Sequence, residues 1–164
     1  MAVRVRRLDF ARDADRLLAF MPDLYETNFP GFLATPEFLA RRRQALREAA
    51  RDPAQRVLVA DDGVRPVGFI WLVLEIDGAG RRRGEVAALY VDPRLRGRGV
   101  GRQLMEEGEE VLRGWGCHSA HLMVTVANEA AVRLYRDLGY EVVRYQMEKR
   151  LPPAGSAQGG DRRV

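Results

Sequence analysis

The chain holds one cysteine, Cys117, two histidines and a single lysine, Lys149, and carries no apolar run near the roughly 20 residues that cross a bilayer. A lone cysteine forms no internal disulfide, which agrees with a reducing, cytoplasmic setting. His118 and His121 lack the spacing to cysteine or carboxylate ligands that zinc takes, so no metal site is expected. The opening M-A-V-R-V-R-R has no apolar signal core, and no membrane partner is expected. Basic character comes almost wholly from arginine, with a formal charge of +4 and a pI near 9.7. Its patches, Arg41-Arg42-Arg43 and Arg81-Arg82-Arg83, have no interleaved aromatic residues on which bases would stack. They read as solvated faces, and nucleic acid is not an expected partner. A modest positive field still draws phosphates or an acidic acceptor.

What is present suits a globular domain. With 46% hydrophobic and 30% charged residues, 164 positions suffice for one domain that buries about two thirds of its unfolded surface. That domain is expected over residues 1–151. From Pro152 the run P-P-A-G-S-A-Q-G-G-D-R-R-V is small, polar and rich in Gly and Pro, and predicts a disordered tail over 152–164.

Val3 to Leu8 alternates as a first, partly exposed strand; Ala14, Leu17, Leu18 and Met21 then recur at helical spacing until Pro22 closes the pattern. The loop expected from Pro22 to Ala34 is unusually aromatic, and its Tyr25 and Phe32 serve either an acceptor pocket or the core. Thr35 caps a second helix with Pro36 at its first position. Arg56 to Ala60 and Val67 to Ile76 read as paired strands around Asp61-Asp62-Gly63, the second apolar on both faces and therefore inside a sheet. His121 to Val126 gives a fifth strand. Asn128 then caps a helix whose C-terminal cap position holds Gly139, and Tyr140 to Leu151 reads as a strand pair or one long bent strand.

The most informative stretch runs from Glu85 to Arg113. An apolar run, Val86 to Val91, turns at Asp92-Pro93, passes Gly97, Gly99 and Gly101, and enters a helix with Val100, Leu104, Met105, Val111 and Leu112 on one face. Glycines at a helix entry let a ligand approach N–H groups that the first turn leaves unpaired, which makes an anion site. Two familiar glycine loops are excluded. A Walker loop needs Gly-Lys followed by Ser or Thr, but Gly101 precedes Arg102 and Gln103. The dinucleotide fingerprint needs its third glycine where Arg102 stands.

Arg96-x-x-Gly99-x-Gly101, preceded by Val91-x-Pro93 and followed by Leu104-Met105, resembles the acetyl-CoA pyrophosphate loop of the GCN5-related N-acetyltransferase (GNAT) family. Asn128-x-x-Ala131, followed by Leu134-Tyr135 and Gly139-Tyr140, is similar to a second and more specific signature of that family. The resemblance covers residues 1 to about 151. It implies an α/β (α+β) fold: a mixed, mostly antiparallel sheet of six to seven strands with helices on both faces, its fourth and fifth strands parallel and splayed. It also implies acetyl-CoA as co-substrate. Pantetheine would complete backbone groups of Leu89, Tyr90 and Val91, and the loop of Arg96, Gly97, Arg98, Gly99, Val100, Gly101 and Arg102 would take the pyrophosphate. Asn128 is a helix cap first and a CoA contact second. A homodimer is implied too, with Val142, Val143, Tyr145 and Met147 as its apolar edge or face.

The implied chemistry is acetyl transfer to a primary amine of a small molecule or peptide. Tyr135 is the implied proton donor to the departing thiolate, although a tyrosine on an apolar helix stripe is ordinarily a core filler. Glu85 stands where several relatives carry the carboxylate that deprotonates the amine; it reads equally as an exposed strand start beside Arg83, with His121 or water as the alternative base. Cys117 lies outside both motifs, so direct attack in a ternary complex is expected rather than an acyl-enzyme. At neutral pH a lysine-like amine costs roughly 3 kcal/mol more to deprotonate than an α-amine, which favours an α-amine or small amine. A module that binds or senses acyl-CoA without turnover is the alternative reading.

Overall fold

The computed structural model describes residues 2–154. Asp9 follows strand β1 (Arg4–Arg7) and caps helix α1 (Phe10–Asn28), its carboxylate accepting from the Arg12 N–H at 3.2 Å. Contrary to the sequence pattern, α1 does not stop at Pro22. Leu24 and Tyr25, beyond the proline, continue the stripe of Leu17 and Met21 onto the same core, and that burial outweighs the backbone hydrogen bond the ring removes. The expected loop is thereby reduced to residues 29–35. Helix α2 (Pro36–Ala49) starts as its sequence predicts, with Thr35 Oγ1 accepting from the Phe38 N–H at 3.1 Å.

Strands β2 (Gln55–Asp61), β3 (Pro66–Ile76), β4 (Arg82–Val91) and β5 (Ala120–Leu122) complete a sheet of order β1-β2-β3-β4-β5. Every pairing is antiparallel except β4 with β5, which is parallel. β3 is apolar on both faces because both are covered. Phe69 and Trp71 pack with α1 and α2, while Ile70 and Leu72 pack against helix α3 (Val100–Gly114). Helix α4 (Glu129–Asp137) lies on the α3 side, where Tyr135 and Leu138 join the second cluster. The Arg6 guanidinium locks β1, α1 and β2 together, lying 2.7 Å from the buried Asp13 and 2.6 Å from the buried Asp61. Both carboxylates favour its charged form and hold its pKa above the ordinary arginine value.

Three features differ from the sequence reading. The sheet has five strands among the described residues, not six or seven. β5 ends at Leu122 rather than Val126, because its ladder with β4 ends at Val86↔Leu122. Residues 140–151 join no ladder among the described residues, and β5 is left as an edge strand paired only with β4. Of the expected tail over 152–164, residues 155–164 lie outside the described residues.

Candidate active site

A single extra residue opens the site. Across β3 and β4, Trp71 opposes Ala88 and Leu72 opposes Val86, so Ala87 has no partner. Such a bulge bends the strand that carries it. β4 holds β5 through Gly84, Glu85 and Val86 and parts from it just where the bulge begins. A cleft of about 2440 Å³ lies along the parted strands. Small-molecule pockets run to roughly 300–1,000 Å³, so this one has room for more than one small molecule. No feature of Ala87-Ala88 announces the bulge in sequence.

On the open side of β4 the backbone is available. The Asp92 N–H donates to the Val67 carbonyl at 2.8 Å, which turns that residue's groups toward β3. By strand alternation, Val91 and Leu89 turn theirs toward the cleft and Tyr90 turns its own into the β3 ladder. The three strand residues named by sequence therefore divide. Leu89 and Val91 line the cleft, whereas the Tyr90 ring is buried against Phe20 and its hydroxyl donates to Asp23 at 2.8 Å. Burial first, and the Asp23 bond second, push the Tyr90 phenol well above the ordinary tyrosine pKa.

Beyond Val91 a 3-10 turn (Pro93–Leu95), capped by Asp92, leads into the glycine loop. Gly97 at φ 73° and Gly99 at φ 83° are left-handed, a conformation that side chains with a Cβ rarely adopt, and the space a Cβ would enter at each is open. Gly101 has a different task. A Cβ there would meet the Leu134 side chain at 3.2 Å, so this glycine lets α4 close on the start of α3. Arg96 reaches back instead of out: Nε donates to the Val91 carbonyl and Nη2 to Asp23, each at 2.9 Å. Arg98 carries no ion pair among the described residues and, with Gly99 and Val100, lines a second hollow of about 230 Å³; Arg102 lies 3.9 Å from Glu106. The loop thus presents helix N–H groups and an unneutralised guanidinium at one place.

Helix α4 brings its residues to the same cleft. Asn128 Oδ1 accepts from the Ala131 N–H at 3.4 Å, as its cap role predicts, and Asn128 also lines the cleft. Tyr135 lines it too, half-buried, with its ring 6.0 Å from that of Tyr140 in an edge-on arrangement. Burial pushes its phenol up to about 12.

At the closed end stand four ionisable residues on neighbouring strands. Arg83 donates to Glu75 at 2.9 Å, and His121 Nε2 lies 3.4 Å from the same carboxylate. Glu85 is the register partner of His121 across the parallel pair, and its own carboxylate is engaged by nothing among the described residues. His121 Nδ1 is buried without a partner. The side of the cleft formed by α1 and α2 holds a chain of contacts that sequence reasoning missed. The Arg42 guanidinium donates to Tyr25 Oη at 3.0 Å and lies 5.9 Å from the Trp71 ring centre, while Trp71 Nε1 donates to Gln55 at 2.9 Å. Tyr25 therefore stands in the cleft wall on α1. Phe32 stacks behind it against Tyr25 and Phe38 and does not line the cleft. Cys117 also lines the cleft, its thiol pushed up by burial, which disfavours the thiolate a nucleophile needs.

Of the residues singled out in sequence, Glu85, Leu89, Val91, Asn128 and Tyr135 meet in one cleft, and Arg98, Gly99 and Val100 meet in a separate small hollow beside Val3 and Gln103. Arg96, Gly97, Gly101 and Arg102 shape the loop without lining either space. Asp23, which joins the loop arginine to the Tyr90 hydroxyl, has no sequence signature, since it follows a proline inside a segment that reads as a loop.

Comparison with known proteins agrees with this geometry. The acetyltransferase (GNAT) family model matches residues 18–140. The chain is 36% identical over 141 residues to a mycothiol acetyltransferase of Propionibacterium freudenreichii subsp. shermanii, covering 84% of this chain and 43% of that protein. It is 38% identical over 140 residues to a mycothiol acetyltransferase of Thermobispora bispora, covering 84% and 46%. The chain thus spans less than half the length of these relatives. A solved structure of AAC(6')-Iy with a CoA-S-monomethyl-acetylneamine bisubstrate analogue shares the fold at a TM-score of 0.68 and 16% identity, covering 93% of this chain and 99% of that one. The family match spans most of the chain and includes the parted strands, the glycine loop and the Asn128 helix: the chain belongs to the acetyltransferase (GNAT) family.

Proposed function

We propose that the protein is an acetyl-CoA-dependent N-acetyltransferase acting on a primary amine by direct attack in a ternary complex, in the cytoplasm and as a homodimer. One observation carries the reading. Glu85, whose carboxylate has no partner among the described residues, and the half-buried phenol of Tyr135 line one cleft, and the strand that walls it, β4, runs on into a left-handed glycine loop. Pyrophosphate suits the loop, where N–H groups at the start of α3 and Arg98 supply positive charge. Pantetheine amides suit Leu89 and Val91, whose backbone groups face the parting. The reaction itself needs little beyond positioning. The amine nitrogen bonds to the acetyl carbon, the carbon–sulfur bond breaks, Glu85 takes the amine proton, and Tyr135 donates a hydrogen bond to the leaving sulfur. A cleft-facing backbone N–H of β4 that pantetheine leaves unpaired is the donor for the carbonyl oxygen.

Glu85 is the base of choice over His121, because His121 turns Nε2 toward Glu75 at 3.4 Å and buries Nδ1, whereas the Glu85 carboxylate lines the cleft. On the acceptor side Tyr25, Arg42 and Trp71 favour an amine that also carries a planar or anionic group. Since both relatives are mycothiol acetyltransferases, the deacetylated form of mycothiol belongs in the first acceptor panel beside α-amines of amino acids and peptides. Thiol release from acetyl-CoA on that panel, with mass spectrometry of the product, tests the reading. One acetylated amine per thiol released is expected. Tight acetyl-CoA binding without turnover on any amine would leave a binding module instead.

A further inference from the structure

The run Arg41-Arg42-Arg43 reads in sequence as a solvated face, but successive residues of a helix point about 100° apart and the fold separates the three. Arg41 is exposed, and Arg43 is engaged by Asp15. Arg42 is half-buried and alone of the three lines the cleft. Its guanidinium has no carboxylate partner among the described residues, yet it is held in place. Nη1 donates to Tyr25 Oη at 3.0 Å, and the group lies 5.9 Å from the centre of the Trp71 ring. Trp71 is buried and fixed in turn by its bond to Gln55 at 2.9 Å. A phenol and an indole favour a cation without neutralising it. Since Nη1 alone is engaged among the described residues, the other N–H groups keep the fork that meets both oxygens of a carboxylate.

Strand registers connect this cation to Glu85. Gln55 opposes Val73, and Val73 opposes Glu85, so all three turn their side chains to one face of the sheet. Trp71, two residues before Val73, shares that face and stands diagonal to Glu85, a relation that puts Cα atoms about 7–8 Å apart. That distance is about two residues of extended chain. Arg83, the cation on the same strand as Glu85, is already paired with Glu75 at 2.9 Å. The cleft residues around Arg42, namely Tyr25, Gln55, Trp71 and Val73, are uncharged, so the wall offers one fixed positive charge. It matches a carboxylate better than a phosphate monoester, which carries about −1.5 to −2.

We propose that Arg42 is an anion site that selects molecules carrying a carboxylate, which makes the acceptor an amino acid or short peptide whose amine lies at Glu85 while its carboxylate lies on Arg42. That the carboxylate belongs to an acetylated amine rests on the acetyltransferase reading; the anion site itself does not.

Alanine, alanyl-alanine and alanyl-alanyl-alanine, each beside its C-terminal amide, are titrated by calorimetry into the full-length protein with CoA in excess, and the same compounds are then supplied with acetyl-CoA. In at least one pair the acid is expected to bind about tenfold or more tightly than the amide, the scale of a charge-assisted bidentate contact. Its kcat/KM should exceed that of the amide by the same factor, through KM. Arg42→Gln is expected to bring that acid down to the level of its amide, and Arg42→Lys to recover part of the difference, because the charge returns without the fork. Equal affinity for acid and amide across the panel in the unmodified protein, or a difference that survives Arg42→Gln, would overturn the proposal. So would tighter binding of phosphoethanolamine than of any carboxylate. A preference for the acids with no acetylation of any of them supports the anion site and counts against the acetyltransferase reading alone, which keeps the two failures apart.

Discussion

Arg96 donates from Nε to the carbonyl of Val91 at 2.9 Å, so the first residue of the glycine motif is tied to the end of the strand that precedes it. Its Nη2 continues the tie to Asp23 on α1, itself the partner of the Tyr90 hydroxyl. The arginine of the motif therefore acts in this chain as a brace between loop, strand and helix, while Arg98 has no ion pair among the described residues.

From this division of labour, Gly99→Val should abolish acetyl-CoA binding in calorimetry, because a β-branched residue at φ 83° is strained and its side chain enters the open space at the head of α3. Arg96→Ala should weaken binding by about tenfold, since one brace is worth about 1.5 kcal/mol while the backbone donors remain. Normal affinity in a folded Gly99→Val protein would mean that the loop does not hold the cofactor.

For the base, Glu85→Gln is expected to lower kcat by about 10² or more with little change in acetyl-CoA affinity, the usual scale for losing general base catalysis. His121→Gln should cost less than tenfold, because its imidazole is engaged by Glu75. The opposite ranking in single-turnover kinetics would transfer the role to His121.

Tyr135 yields a sharper prediction than its position alone. With the phenol pushed up to about 12, full proton transfer to a thiolate of pKa near 8.5 is uphill by about 5 kcal/mol. The hydroxyl accordingly acts as a hydrogen-bond donor, and Tyr135→Phe should lower kcat by about 10² while affinity shifts only a few-fold. In the folded protein the neutral phenol is favoured, so its contribution to stability is complete below the unfolded pKa of about 10 and falls away as pH rises toward about 12. Tyr135→Phe should flatten that alkaline loss in chemical denaturation. An unchanged kcat with chemistry rate-limiting would remove the hydroxyl from the mechanism.

Acid lability should centre on Asp92, which opens the loop. Arg94 foremost, through its side chain and its N–H, and Arg16 at 3.0 Å hold this carboxyl at about 2 against the opposing effect of burial. Its stabilisation is present above the unfolded value of about 3.9 and is lost as pH falls through about 2. Asp92→Asn should therefore reduce stability at neutral pH, and the difference from wild type should shrink steadily between about pH 4 and pH 2. A pH-independent difference would assign the effect to packing rather than charge.

How much was legible beforehand depended on the range of the interactions. Local rules were enough for Thr35 and Asn128 as caps, for Gly139 after α4, and for β3 as a strand covered on both faces, because caps and alternation involve residues a few positions apart. Pro22 misled for the complementary reason: its local effect is to end a helix, but Leu24 and Tyr25 gain more from the core than the missing hydrogen bond costs. Tyr140 to Leu151 shows the same limit from the other side, a strand pattern without a strand, since alternation marks a segment that could pair and does not say whether an edge is brought to it.

By itself the sequence determined the alternation of elements and the two motifs, because each rests on spacing along one segment; Glu85 and Tyr135 came as candidates with the family resemblance. Only the tertiary structure decided where β4 parts from β5, since the unpaired Ala87 is defined by the partner strand it fails to meet. It likewise separated the three glycines into two that set backbone direction and one that admits Leu134, and it turned Arg96 inward to Val91 and Asp23. Those assignments depend on atoms tens of residues apart in the chain, and no local periodicity encodes which of them the fold will bring together.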